Sequence, residues 1–310
     1  MRKDLMKNRN HHKSKQYKRR ILTDWLFISP QLILFVALTI VPFIISIPIL
    51  FTDMARYDDP QVNWIGFKNF TALFKDASVQ NDYLPALKRT LVFVFLNYTT
   101  VYIFGLSLAL LMYEVGFRGG FFTIIYLPLM ISGLGIGYTA VMLFSRTSGT
   151  ANLLLLKLGI LKKPIDIYSP GGTMFILPLL VGWRYAGYNM AIFLSGLLGI
   201  PQETIEASIV DGTTYWSRLW KVYFPQMLPS FLIATTMCLI GSFSVFDELV
   251  AMGALYYNPE AKLLSVLFFM YGFQVERLAQ GMTLAVETFL PLVFIGIALQ
   301  RLQRKLAYTQ

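Results

Sequence analysis

The sequence predicts an all-helical integral membrane protein, and three observations carry that expectation. Hydrophobic residues make up 55% of the 310, charged residues only 14%, and the apolar residues fall in long unbroken runs. Soluble domains carry roughly 25% charged residues. A helical span needs about 20 mostly apolar residues, because the hydrocarbon layer is about 30 Å thick and a helix rises about 1.5 Å per residue. Six runs meet that requirement: about 26–51, 89–113, 120–145, 173–198, 226–250 and 279–302. They are too long and too uninterrupted for the strands of a membrane barrel, which alternate over about ten residues.

Taken in order, residues 1–20, MRKDLMKNRNHHKSKQYKRR, hold nine Lys or Arg against one Asp and account for most of the formal charge of +10. A basic tail ahead of a first span is retained in the cytoplasm. The amino terminus is therefore expected inside, and six spans return the carboxyl end, with Arg301, Arg304 and Lys305, to the same side. Retention explains the charge without nucleic acid. The first apolar run is long and no A-x-A-like site follows it, so it reads as a span of the 21–310 transmembrane domain rather than a cleaved signal. In the polar segment 52–88, FKNFTALF places Phe67, Phe70, Leu73 and Phe74 at helical spacing, a short helix for the outer interface. EVGFRGG makes a tight inner turn, and ANLLLLKLGI, in the second outer segment 146–172, is too short to span and reads as another interfacial helix. The last outer loop, about 251–277, contains the turn-rich GALYYNPEAK. No internal duplication is visible, so a two-fold symmetric transporter would need a second chain.

The stretch from Gly199 to Pro229 interrupts this pattern with acids, a basic pair and two tryptophans. Following the fourth span, it should lie in the cytoplasm. Pro201 suits a helix start, Glu203 and Glu206 fall in the first turns where the helix dipole favours acids, and Gly212 can make the left-handed turn that ends a helix. A second helix follows, with Trp216, Leu219, Trp220 and Tyr223 on one face, Ser217, Arg218 and Lys221 on the other, and Pro225 at its end. Periodicity alone leaves two readings open: a helix pair lying on inner headgroups, or a docking element for a cytoplasmic partner.

Glu206-Ala207-Ser208, Gly212 and Val222-Tyr223-Phe224-Pro225 resemble the EAA loop of permease subunits in binding-protein-dependent ABC importers. The spacing fits Glu-Ala-Ala, three residues, Gly, nine residues, Ile-x-Leu-Pro without a gap, and IPQETIEASIVDG, with Glu203 and Asp211, is similar to the version in carbohydrate importers. LFISPQLILFVALTIVPFIISI, WIGFKNF, LPALKRTLVF and FRGGFFTIIYLPLMIS also resemble segments of the maltose and glycerol-3-phosphate type of sugar permease. Ser208, Val222 and Phe224 depart from the motif by small or apolar swaps. AMGALYYNPE departs further, keeping at most Gly253 of the family's Thr-x-Gly-Gly-Pro turn after span five.

The resemblance implies a type I ABC importer permease in a bacterial plasma membrane, with residues 199–225 as its coupling loop. It implies an ATPase cleft that receives the loop's first helix, with Glu206 and Ala207 at the docking surface. The expected assembly holds a second permease subunit with its own EAA loop, two ATPase subunits and an extracytoplasmic binding protein. This chain has no Gly-Lys dipeptide and hence no phosphate-binding loop, so ATP and Mg would belong to the partner ATPase. The chain itself is expected to be a transport subunit and not an enzyme.

Ionisable groups within spans are costly and are functional candidates by default. Arg184 falls near the middle of span four in GWRYAGYN, where Tyr185, Tyr188 and Asn189 offer the aromatic faces and hydrogen-bonding groups a sugar path needs. It either lines that path or pairs with an acid between helices, and Glu287 in span six lies at a compatible depth. Asp247 and Glu248 read as a solvated end of span five. Asn97, Tyr98 and Tyr102 read as helix-packing residues, and SGLGIG at 132–137 as a site of close helix approach. Cys238, the single cysteine, permits no disulfide within the chain, and His11 and His12 both sit in the tail, so no metal site is expected. The alternative function is an ion-coupled secondary carrier with Arg184 and Glu287 as a relay, a reading that leaves the polar loop unexplained.

Overall fold

The computed structural model describes residues 23–115 and 119–307. The basic tail with His11 and His12, and the turn residues 116–118, lie outside the described residues. The described chain is helical throughout apart from loops and one isolated bridge, Thr52 with Trp64.

Helix α1, Thr23–Phe51, is long and apolar enough to cross a membrane, and none of its most apolar stretch is buried within the chain. A wide π-turn at Val36–Ile40 precedes Pro42, where the missing N–H breaks the regular ladder. Asn69 ties the following segment back to its end by donating to the carbonyls of Leu50 (3.0 Å) and Thr52 (2.8 Å). Asn69 sits on α2, Lys68–Lys75, the short helix expected from FKNFTALF.

Helix α3, Ala77–Val115, is the axis of the fold. It begins well before the predicted run at 89, because Asp76 caps it by accepting from Ser78 N at 2.8 Å. That contact also holds the exposed Asp76 carboxyl below the ordinary carboxylate range. Thr90, Phe93, Asn97, Val101, Gly105, Ala109 and Met112 recur every three or four residues as its buried stripe.

The third predicted run, 120–145, folds as two helices, α4 (Gly119–Met130) and α5 (Gly133–Phe144), bent by 90°. Pro128 tightens the end of α4, and Ser132 Oγ accepts from Gly135 N to cap α5. Helix α6, Thr150–Lys157, is the short helix expected after it. The fourth run forms α7 (Gly172–Arg184) and α8 (Ala186–Leu198), with Tyr185 between them, both against α3.

Beyond the polar stretch, α9 (Gln202–Val210) and α10 (Tyr215–Gln226) lead to α11 (Leu228–Ser244), which α10 meets at 69°. The chain then breaks at Val245–Phe246 and starts a short helix, α12 (Asp247–Ala251). The predicted last loop holds a further apolar helix, α13 (Leu264–Phe273), packed on α14 (Leu278–Ala307). Among the described residues, three helices (α1, α3 and α14) are long and apolar enough to span a membrane, and up to five spans result if each bent pair counts as one.

Most of the buried apolar side chains among the described residues fall into three clusters. One joins Phe93, Ile136, Ile176, Leu177, Leu249 and Met252; a second joins Met112, Phe193, Leu197, Ile205, Leu219 and Tyr223; a third joins Val79, Tyr83, Leu264, Leu267 and Leu284. The second cluster binds the polar stretch to the helical bundle.

Candidate functional site

The polar stretch folds as a helix, a turn and a helix. Gly212 has φ +72°, the left-handed region that a side chain disfavours, and its N–H donates to Ile209 O at 2.9 Å. Thr213 closes the turn by donating N–H and Oγ1–H to Ser208 O. Thr214 Oγ1 then accepts from Ser217 N and caps α10.

Helix α9 has two faces. Ile205 and Ser208 are buried, Ile205 in the cluster with Leu197, Leu219 and Tyr223. Glu203, Glu206, Ala207, Ile209 and Val210 are exposed, Val210 by 86%. Gln202 Nε2 donates to Glu206 Oε1 at 3.3 Å and holds one acid in place. Asp211 follows at the helix end, exposed beside Gly212.

The apolar face of α10 is partly packed and partly open, and one expectation for the helix is corrected. Trp216 and Trp220 are 69% and 65% exposed, while Leu219 and Tyr223 are buried. Each pair forms its own row four residues apart, and only the Leu219–Tyr223 row reaches the bundle. Pro225 does not end the helix, which continues to Gln226 and breaks at Met227. The π-turn at Leu219–Tyr223, just ahead of Pro225, takes up the missing backbone donor.

A cavity of about 500 Å³ opens among α3, α5, the α7–α8 junction, α11 and α12. Arg184, Tyr185, Tyr188 and Asn189 all line it, so four of the five path residues singled out from the sequence meet around one space. Asn189 Nδ2 donates to Tyr185 O at 2.9 Å and bridges the break between α7 and α8. Arg184 stacks over the Tyr185 ring at 5.2 Å.

The partner of Arg184 is Glu248. Arg184 Nη1 donates to Glu248 Oε1 at 2.7 Å, with side chains 14% and 8% exposed. Glu248 is thus no solvated helix end: the break after α11 turns α12 back onto α5. The close approach depends on glycine, since a Cβ at Gly133 would lie 2.7 Å from Asp247 Cβ and 3.0 Å from Glu248 Oε1. At Gly137 a Cβ would overlap Glu248 O and come within 2.5 Å of Ala251 Cβ. The SGLGIG run is a contact surface for α12.

Glu287 stands apart. It lies on α14, does not line the cavity, and keeps Oε2 buried without a partner. The expected Arg184–Glu287 pair is not formed, and with it goes the geometric basis for a relay between them. Tyr98 and Tyr102 act as expected, packing α3 on α11 through Thr235, with Tyr102 Oη also donating to Phe231 O. The sequence reading missed Glu248 and Asn97 as cavity residues, because the first depends on a chain reversal and the second on which helix faces the space.

Residues 101–306, more than half of the chain, match the family described as binding-protein-dependent transport system inner membrane component. The chain belongs to this family. It is a transport component of an inner membrane, and not an enzyme. Among its relatives is the probable starch degradation products transport system permease protein AmyD of Thermoanaerobacterium thermosulfurigenes, 29% identical over 88% of this chain and 91% of that one. The probable ABC transporter permease protein YesP of Bacillus subtilis is 30% identical over 76% of this chain and 74% of that one. Among solved structures, a bacterial alginate ABC transporter in complex with an alginate pentasaccharide-bound periplasmic protein superposes with a TM-score of 0.75. That likeness, at 23% identity, covers 94% of this chain and 96% of that chain and extends to the fold.

Proposed function

We propose that this chain is the permease subunit of an ATP-driven importer that moves a carbohydrate, or a related polyol, from an extracytoplasmic binding protein into the cytoplasm. Relatives named for starch degradation products, arabinooligosaccharides and lactose support the substrate class. In this reading six spans keep both termini in the cytoplasm of a bacterial cell. A second permease subunit with its own EAA loop completes the path, and two ATPase subunits hold the ATP and Mg.

The observation that carries the reading is the double duty of α8. Its first turns, with Tyr188 and Asn189, line the cavity, while Leu194 and Leu197 near its end share a buried cluster with Ile205 of α9. From Tyr188 to Leu197, about 14 Å of continuous helix thus connects the two places. A cytoplasmic ATPase seated on Glu203, Glu206, Ala207 and Val210 would move Ile205, and through it the wall of the cavity. Arg184, Tyr185, Tyr188 and Asn189 form the substrate path, and Glu287, on α14, lies outside it.

The test is reconstitution of the chain with its co-purifying partners in proteoliposomes. Carbohydrate uptake should require internal ATP on the ATPase side and survive collapse of the proton gradient. Uptake that persists without ATP and stops with the gradient would refute the reading.

A further inference from the structure

The lining of the cavity restricts its occupant further. Three lining residues carry a formal charge at neutral pH: one cation, Arg184, faces two carboxylates, Asp247 and Glu248, for a net formal charge of −1. The single cation is already engaged with Glu248 at 2.7 Å, while Asp247 stands exposed beside the pair. An anionic ligand would meet a neutralised guanidinium and an unneutralised acid.

Two lining residues also hold a buried polar atom without a partner: Asn97 Oδ1 and Arg184 Nε. Asn97 is 5% exposed, and its Nδ2 donates to Ser242 Oγ at 2.9 Å with Cys238 Sγ at 3.6 Å. Buried polar groups are ordinarily paired, so an orphaned acceptor and an orphaned donor around one space describe what should enter it. A hydroxyl both donates and accepts, and it satisfies Asn97 in either orientation of the amide. An ionised carboxylate only accepts and could answer Arg184 Nε but not Asn97 Oδ1, so Asn97 calls for a hydroxyl while the discrimination against acids rests on the charge of the lining.

We propose that the cavity admits neutral, hydroxyl-rich carbohydrate and rejects acidic carbohydrate, with Asn97 on α3 as a ligand-contacting residue. This rests on the transport reading above and narrows it. Likeness of fold does not give the answer, since the structural neighbour that imports alginate serves an acidic polysaccharide.

The experiment uses the complete reconstituted transporter with its binding protein, offered neutral gluco-, galacto- and arabino-oligosaccharides and uronate oligosaccharides of matched length. At least one neutral probe should drive uptake, with acidic probes slower by about tenfold or more, the factor that 1.4 kcal/mol of discrimination produces. An acidic probe that moves as fast as any neutral one overturns the selectivity and leaves the transport reading standing. If no carbohydrate of either charge drives uptake, both fall. D247N, at an exposed position, should raise the relative rate for the acidic probes; an unchanged ratio counts against the charge argument.

For Asn97, singly deoxygenated analogues of the transported sugar are compared in wild type and N97L. One analogue should lose about tenfold in KM with wild type and little further with N97L, because the partner of the missing hydroxyl is already gone. Equal losses in both proteins overturn the contact. Should N97L fail to assemble with its partners, N97S, smaller and still polar, enters the same comparison with the same criterion.

Discussion

The proposed coupling element and the cavity are joined by one helix, α8, yet they are built on different principles. The coupling element is a local object. Its turn, caps and exposed face all come from residues within Pro201–Pro225, and its pattern is visible as spacing. The cavity is a tertiary object, assembled from α3, α5, α7, α8, α11 and α12, and its central ion pair joins residues 64 positions apart. A local site should tolerate change in its neighbours and fail at its turn. A tertiary site should fail wherever one wall loses its counterpart.

The largest expected effect therefore falls on the ion pair. Glu248→Ala leaves Arg184 buried without its carboxylate, which costs about 3–5 kcal/mol. Detergent-solubilised E248A should show a marked fall in unfolding temperature, and the double variant R184M/E248L should regain most of it. A double variant no more stable than E248A would mean that the two residues are not coupled.

Next comes the seam between α5 and α12. Gly137→Ala forces a methyl onto Glu248 O and Ala251, and overpacking of this kind costs about 1–3 kcal/mol. Because the displaced wall belongs to the cavity, G137A should raise KM for uptake while ATPase association stays intact. The reverse pattern would break the assignment of the two regions.

Gly212→Val acts at the other end. Placing a β-branched residue at φ +72° costs about 1–2 kcal/mol locally. It should weaken co-purification of the ATPase and coupled hydrolysis while the helices still insert; unchanged coupling would contradict a role for this turn. The smallest effect is expected for Trp216→Ser, at a 69% exposed position, with stability within about 0.5 kcal/mol of wild type. A loss of ATPase association in W216S would extend the docking face from α9 onto α10, and its absence would confine the face to α9.

This contrast also explains what the sequence could reveal. The apolar runs located the main helices because lipid-facing and buried segments are both apolar, and the Glu206, Gly212, Pro225 spacing located the helix-turn-helix because the constraint there is local. The 90° bend at Ile131–Ser132 was hidden within a single apolar run, where Pro128 and the SGLGIG stretch punctuate the sequence but read equally as close helix packing. Helix α13 was hidden for the opposite reason: Leu264–Phe273 is apolar but too short to span, and its ruler is that of a buried helix. Arg184, Tyr185, Tyr188 and Asn189 were legible as a group because neighbouring residues on one span remain neighbours in space. Glu248 was not, since its burial follows from the break at Val245–Phe246 and from the room left by Gly133 and Gly137.

A cytoplasmic ATPase seated on the exposed face of α9 can be trapped there by crosslinking. Val210→Cys places a thiol at an 86% exposed point of that face, and the native Cys238 is buried and does not compete. In the reconstituted, transport-competent complex, a short bifunctional crosslinker should join V210C to the ATPase subunit, while Tyr256→Cys, 78% exposed in a loop remote from α9, should give no such product. Transport without a V210C adduct, or equal adducts from both positions, would contradict the account.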